Sequence, residues 1–319
     1  MSTSTSPHPA PAPAPAKTAK TSRLRPSGQL WTVLRLHRTA LWVWVAFVVI
    51  SIGVLLWVRY GSTGVDAAAT LAGCGTAGHR ACDEWMWSDT ALVTTRDRLL
   101  EIGQVLRNLA PVVAAWAGAA LIGRELENGT AELAWTQSVS PARWLATKLA
   151  VPAAFLTVGA GVLVASYRML LDWSVTHHML RAGYEKYTLY FNIGPATVAY
   201  TLLGLAVGAL AALLLRRAVP ALVAGAAAAW LLTVAIAPWR GSLWPVGAVG
   251  DSSLWHLPGS DSCGGGIYNH NLIDSVDPCI SAQPADHYLP VQLVETGIVL
   301  ALAAVLVLIS FRVLHRRNA

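Results

Sequence analysis

Charge is what this sequence has least of. Of its 319 residues, 13% are Asp, Glu, Lys or Arg, against roughly 25% in a soluble domain. That deficit, with a mean hydropathy of +0.49, excludes an ordinary water-soluble fold and argues for a chain that lives in lipid. Nucleotide-binding loops are missing too. No Gly-x4-Gly-Lys-Ser/Thr occurs, so the chain has no P-loop to cradle a triphosphate. The absence of His-Glu-x-x-His and of Gly-x-Ser-x-Gly removes the commonest zinc-peptidase and serine-hydrolase arrangements. The adjacent His177 and His178 and the scattered His256, His270 and His287 have no metal-ligand spacing and read as solvated loop residues. One Gly-x-Gly-x-x-Gly match, GCGTAG at 73–78, follows no strand and reads as coincidence.

Six apolar stretches are present, at 41–58, 105–122, 149–167, 193–215, 218–237 and 291–311. A helix rises about 1.5 Å per residue, so 18 to 23 residues cover the roughly 30 Å hydrocarbon core. The second stretch is strongly apolar only from residue 109 and needs Val105 and Leu106 to reach across. Arg216 and Arg217 alone separate the fourth and fifth stretches, and Pro220 suits a first helical turn. The expectation is a tight hairpin between two spans. Inside the six stretches the only carboxylate is Glu295, near the outer end of the last. Proton- and ion-coupled carriers normally hold ionisable groups at mid-membrane. A chain without them is passive, structural, or driven by force applied from outside the bilayer, which points to an ATPase on another polypeptide.

The basic residues set the orientation. With both termini in the cytoplasm, 14 of the 23 Lys and Arg lie inside, including Arg124, Arg143, Lys148, Arg216, Arg217 and Arg312. Only Glu125, Glu127 and Glu132, three of the 17 acids, join them, as the positive-inside rule asks. All four cysteines then face outward, Cys74 and Cys82 after the first span and Cys263 and Cys279 before the last. Thiols can oxidise there. Pairing within each loop closes rings of nine and seventeen residues, worth about 2.5–3 kcal/mol each in the chain-entropy model. Pairing between the loops remains open.

Residues 1–27, rich in Pro, Ala, Ser and Thr, cannot bury a core and read as a disordered cytoplasmic tail. Residues 28–40 place Leu30, Val33, Leu34 and His37 near one face, which describes either an interfacial helix or a continuation of the first span. Two sizeable outer loops are expected, at 59–104 and 238–290. Leu99, Leu100, Ile102, Val105 and Leu106 have helical spacing and should lead into the second span. Trp42, Trp44, Trp57, Tyr60, Trp239 and Trp244 fall near span ends and suit interfacial anchoring. Gly204 and Gly208 form a small-xxx-small pair, for close helix packing within the subunit or across a dimer.

One stretch concentrates the inner polar residues: GRELENGTAELAWTQSVSPARW, 123–144. On the inner side its Asn-Gly-Thr is no glycosylation acceptor. Thr130 is suited to cap a short helix with Glu132 in its first turn, Ser140-Pro141 to end it, and Arg143, Trp144 and Lys148 to lead into the third span. An acidic residue before Gly-Thr, a short helix, then Ser or Pro, a basic residue and a Lys resembles the cytoplasmic loop of type-2 ABC exporter permeases. The residues concerned are Glu127, Gly129, Thr130, Ser138, Ser140, Pro141, Arg143 and Lys148, and the wording is most like that of high-GC actinobacterial members. The order of elements over about 28–317 is similar as well, although the long cysteine-bearing loop after the first span is a departure.

The resemblance implies an all-α integral membrane fold of six transmembrane helices with an N-terminal interfacial helix. It implies a coupling helix between spans 2 and 3 that docks on a separate ATP-binding subunit, with Glu125, Glu127, Gly129, Thr130, Glu132 and Arg143 in the contact. ATP and Mg would be held by that subunit, the permease would pair with a second copy, and the complex would sit in the plasma membrane. No enzymatic activity and no nucleic-acid partner are expected. Two rivals stand beside this reading. One is a membrane enzyme using Asp251, His256, Asp261, His270, Asp274 and His287 outside; the other is a scaffold or immunity protein that transports nothing.

Overall fold

The computed structural model describes residues 38–74, 89–136, 140–177, 179, 193–237, 239, 243 and 288–318. All of these fall in one unit, residues 37–319. Among them there are eight helices: α1 (Arg38–Tyr60), α2 (Ser62–Cys74), α3 (Thr90–Glu127), α4 (Thr130–Thr136), α5 (Pro141–Thr176), α6 (Pro195–Leu215), α7 (Ala218–Ile236) and α8 (Tyr288–Asn318). Six helical segments are long and apolar enough to cross a membrane, with α1 and α2 counting as one. The described chain is thus an all-α polytopic membrane protein. The expected interfacial helix at 28–40 lies almost wholly outside the described residues.

The 59–104 connection holds more helix than expected. Helix resumes at Ser62 directly after a bend at Gly61, because backbone bonding runs through it: Gly61 N–H donates to Trp57 (2.8 Å) and Val65 N–H to Gly61 (3.0 Å). The helical lead-in to the second span is present and longer than its apolar spacing implied. Asp89 starts it by accepting from Ala91 and Leu92 N–H at 2.9 and 3.0 Å, satisfying two donors that a helix start leaves open. The result is one helix of 38 residues, about 57 Å long at 1.5 Å per residue.

α6 and α3 form the centre. In their most apolar windows 67% and 61% of residues are buried, against 22–28% in the other spans. The sequence explains this approach. A Cβ on Gly204 would stand 2.1 Å from the Pro111 carbonyl oxygen, and one on Gly208 2.0 Å from that of Ala115. The two glycines of α6 therefore sit on two carbonyls one turn apart on α3. The small-xxx-small pair works within the subunit. On α7, Gly225 faces Gly208 less tightly, a Cβ there standing 3.1 Å from the Gly208 Cα.

Apolar side chains around the rim face outward, among them Val49, Ile50, Val158, Val223 and Leu308, as a lipid-facing surface requires. Trp42, Trp57, Tyr60 and Trp239 are exposed, which fits anchoring. Trp44 is not an anchor: it is 3% exposed, its indole lies over Gly159 and it stands 5.5 Å from the Phe47 ring. Trp244 lies outside the described residues. Glu295, alone among the carboxylates in an apolar stretch, is fully buried and accepts from Tyr200 Oη at 2.9 Å.

Candidate functional site

The polar residues of 123–148 gather where α3 ends and α5 begins. α3 closes at Asn128, whose N–H donates to Arg124 (3.1 Å) while Gly129 N–H donates to Leu126 (3.4 Å). Gly129 has φ +68°, the left-handed conformation that favours glycine at this point of a helix stop. Thr130 is then the first residue of α4 rather than its cap. Its hydroxyl turns back and donates to the Glu125 carbonyl at 3.3 Å, satisfying an orphan of the previous helix. Ser140 and Pro141 also differ from the expectation. Ser140 accepts from Arg143 N–H at 3.3 Å and Pro141 opens α5, so the pair starts a helix.

Glu125 sits inside this joint. It is 8% exposed and Lys148 6%; the Lys148 ammonium donates to Glu125 Oε1, and Trp144 Nε1 donates to Oε2 at 3.0 Å. Trp144 in turn meets Trp135 of α4 edge to face, with ring centroids 5.7 Å apart and planes at 89°. Two buried charges cost desolvation that only good pairing offsets, and here each carboxylate oxygen has a donor.

Other elements close on the same end. Glu127 Oε2 accepts from Ala218 N–H at 2.9 Å, capping α7 from a position 91 residues away, where a carboxylate suits the helix's positive end. Arg216, in the left-handed region at φ 52°, reaches Glu132 at 3.9 Å with both side chains exposed. Arg317 of α8 donates to the Leu213 carbonyl at the end of α6. Arg143 and Leu133 are exposed. A second feature is an open groove of about 710 Å³ between α3 and α7, lined by Glu101, Gln104, Asn108, Leu109, Ala226 and Trp230 among others. Asn108 donates to the Gln104 carbonyl at 2.9 Å, while its buried Oδ1 has no hydrogen-bond partner.

A family model described as ABC-2 membrane transporter related matches residues 39–240, from the start of α1 to just past α7. The chain belongs to that family. Neither a curated protein nor a solved structure matched it. Membership relates this polytopic chain to ABC-2 membrane transporters and is consistent with a role in transport.

Of the residues expected from sequence, all six site candidates of this ABC-2-related chain fall on the α3–α4–α5 connection. Glu132 and Arg143 point outward, whereas Glu125 is turned into the protein. The pairing of Glu125 with Trp144 and Lys148 was missed; its signal is the i, i+4 spacing that puts those two on one face of α5. Cys74 closes α2, and Cys82, Cys263 and Cys279 lie outside the described residues, as do Asp251, His256, Asp261, His270, Asp274 and His287. Among the described residues no group of three or more His, Cys, Asp or Glu could hold a metal ion.

Proposed function

We propose that the chain is the membrane-spanning permease of an ABC exporter, in which α4 is a coupling helix resting on a separate ATP-binding subunit that carries ATP and Mg. The observation that supports this reading is a seven-residue helix displaying Leu133 at 60% exposure at the end of two long spans. An apolar side chain beside exposed Glu132 and Arg143 is the chemistry of a partner contact. Both termini and α4 lie in the cytoplasm, consistent with the basic residues at this end. The cysteines lie outside and form disulfides. A second copy of the permease faces the groove along α3 and α7, where Glu101, Gln104 and Asn108 give one wall of a substrate path.

Within this reading the site residues divide their work. Glu132 and Arg143 meet the ATP-binding subunit, Gly129 and Thr130 set the angle of α4, and Glu125 and Glu127 fasten it to the spans. Co-purification with an ATP-binding subunit from the native membrane tests the proposal. Leu133→Asp and Gly129→Val should both lower the recovered subunit and its stimulated hydrolysis at least ten-fold. Full recovery and full stimulation in both variants would remove the assignment.

A further inference from the structure

The proposed role of α4 raises a mechanical difficulty. Seven residues cannot hold a helix by themselves, and the residue before them, Gly129 at φ +68°, is of the type that least resists backbone rotation. A helix hung on that link would swing when pushed and leave α3 and α5 where they were. The structure contains a contact chain that prevents this: Trp135 of α4 lies edge-on against Trp144, Trp144 Nε1 donates to Glu125 at the end of α3, and Lys148 of α5 donates to the other oxygen of the same carboxylate. α3, α4 and α5 thus meet at the buried Trp144 indole, with Lys148 holding the other oxygen of the carboxylate it binds.

We infer that Trp144 and Lys148 are positioning residues, which hold α4 in fixed orientation to α3 and α5 by clamping Glu125, so that the three move as one body. This rests on the coupling role proposed for α4, although the rigidity itself does not. Stability is the competing explanation for the pair, and it accounts poorly for it. A buried ion pair is often matched or bettered by apolar side chains of similar size. What an apolar replacement lacks is direction: two donors with defined geometry fix the carboxylate, and through the shared indole they fix α4.

Hydrogen exchange of the full-length protein in lipid nanodiscs tests this without an ATP-binding subunit. Trp144→Phe keeps a ring against Trp135 and removes the Nε1 donor. The double variant Glu125→Leu with Lys148→Met keeps bulk and removes the charges. Both should raise exchange over residues 130–136 at least ten-fold while leaving the α3–α6 seam protected and the melting temperature near that of the wild type. Lys148→Arg, which preserves a donor to the carboxylate, should restore most of the protection. Unchanged exchange over α4 in Trp144→Phe and in the double variant overturns the inference, as does a uniform rise in exchange across all spans, the signature of a merely stabilising pair. Failure of the wild type to recruit an ATP-binding subunit would count against the proposed function alone, because the exchange experiment contains no such subunit.

Discussion

Alanine at Gly204 or Gly208 is the sharpest perturbation the fold offers. A Cβ at these positions would meet the Pro111 and Ala115 carbonyl oxygens at 2.1 and 2.0 Å. Carbon–oxygen contacts settle near 3.3–3.6 Å, so α3 and α6 must part by roughly 1.2–1.6 Å to admit one methyl group. A gap of about 0.5–1 Å already forfeits a quarter to a half of the dispersion energy of the atoms facing it, and this one is wider. Overpacking of this kind costs about 1–3 kcal/mol, and the upper end applies because the obstructing atoms are backbone on the most enclosed seam. The double variant should cost less than the two singles added, since one separation relieves both clashes. Gly161 is the control, with nothing within 4 Å of its would-be Cβ; alanine there should be neutral or gain up to ~1 kcal/mol in helix propensity. Equilibrium unfolding in detergent or nanodiscs reads the difference. Gly204→Ala as stable as Gly161→Ala would refute the close approach of α3 and α6.

Four further outcomes are expected. Trp44→Ala, which empties a buried site over Gly159, should destabilise by about 3–5 kcal/mol, while Trp42→Ala at 63% exposure should stay within about 0.5 kcal/mol; the same unfolding assay compares them. Glu127→Ala strips the acceptor from Ala218 N–H and should cost ~0.5–2 kcal/mol as a lost cap, with Glu127→Gln milder because an amide oxygen remains. Arg216→Ala breaks an exposed pair at 3.9 Å and should change stability by less than ~1 kcal/mol. With the native cysteines replaced by serine, a membrane-impermeant maleimide should label Glu132→Cys only in inside-out vesicles and Asp97→Cys only in right-side-out ones; the opposite pattern overturns the orientation.

The spans were legible because a bilayer leaves the sequence little freedom: each must be long and apolar, and each of the six runs became a helix. Their ends were less legible. Residues 62–74 fell in the expected 59–104 loop, yet this alanine-rich sequence continues the helix past Gly61. Ser140-Pro141 marks a helix end and a helix start equally well in sequence, and only the bond from Arg143 N–H decides for the start. Thr130 was expected to cap the helix after it and instead served the one before it. The partners of Glu125 lie 19 and 23 residues away and that of Glu295 lies 95 away. Periodicity within one helix says nothing of such pairs, since they depend on which faces meet.

The length of α3 has a consequence for what happens on the far side of the membrane. A rod of about 57 Å turned by about 5° around its midpoint swings each tip by roughly 2.5 Å. Its remote tip is already yoked to α2, since Thr95 Oγ1 donates to the Thr63 carbonyl at 3.3 Å and Arg98 donates to the Thr63 hydroxyl at 2.7 Å. A tilt of α3 as one body would therefore carry α2 with it, and Pro111, near the middle of the helix, is the point where such a tilt could be taken up as a bend.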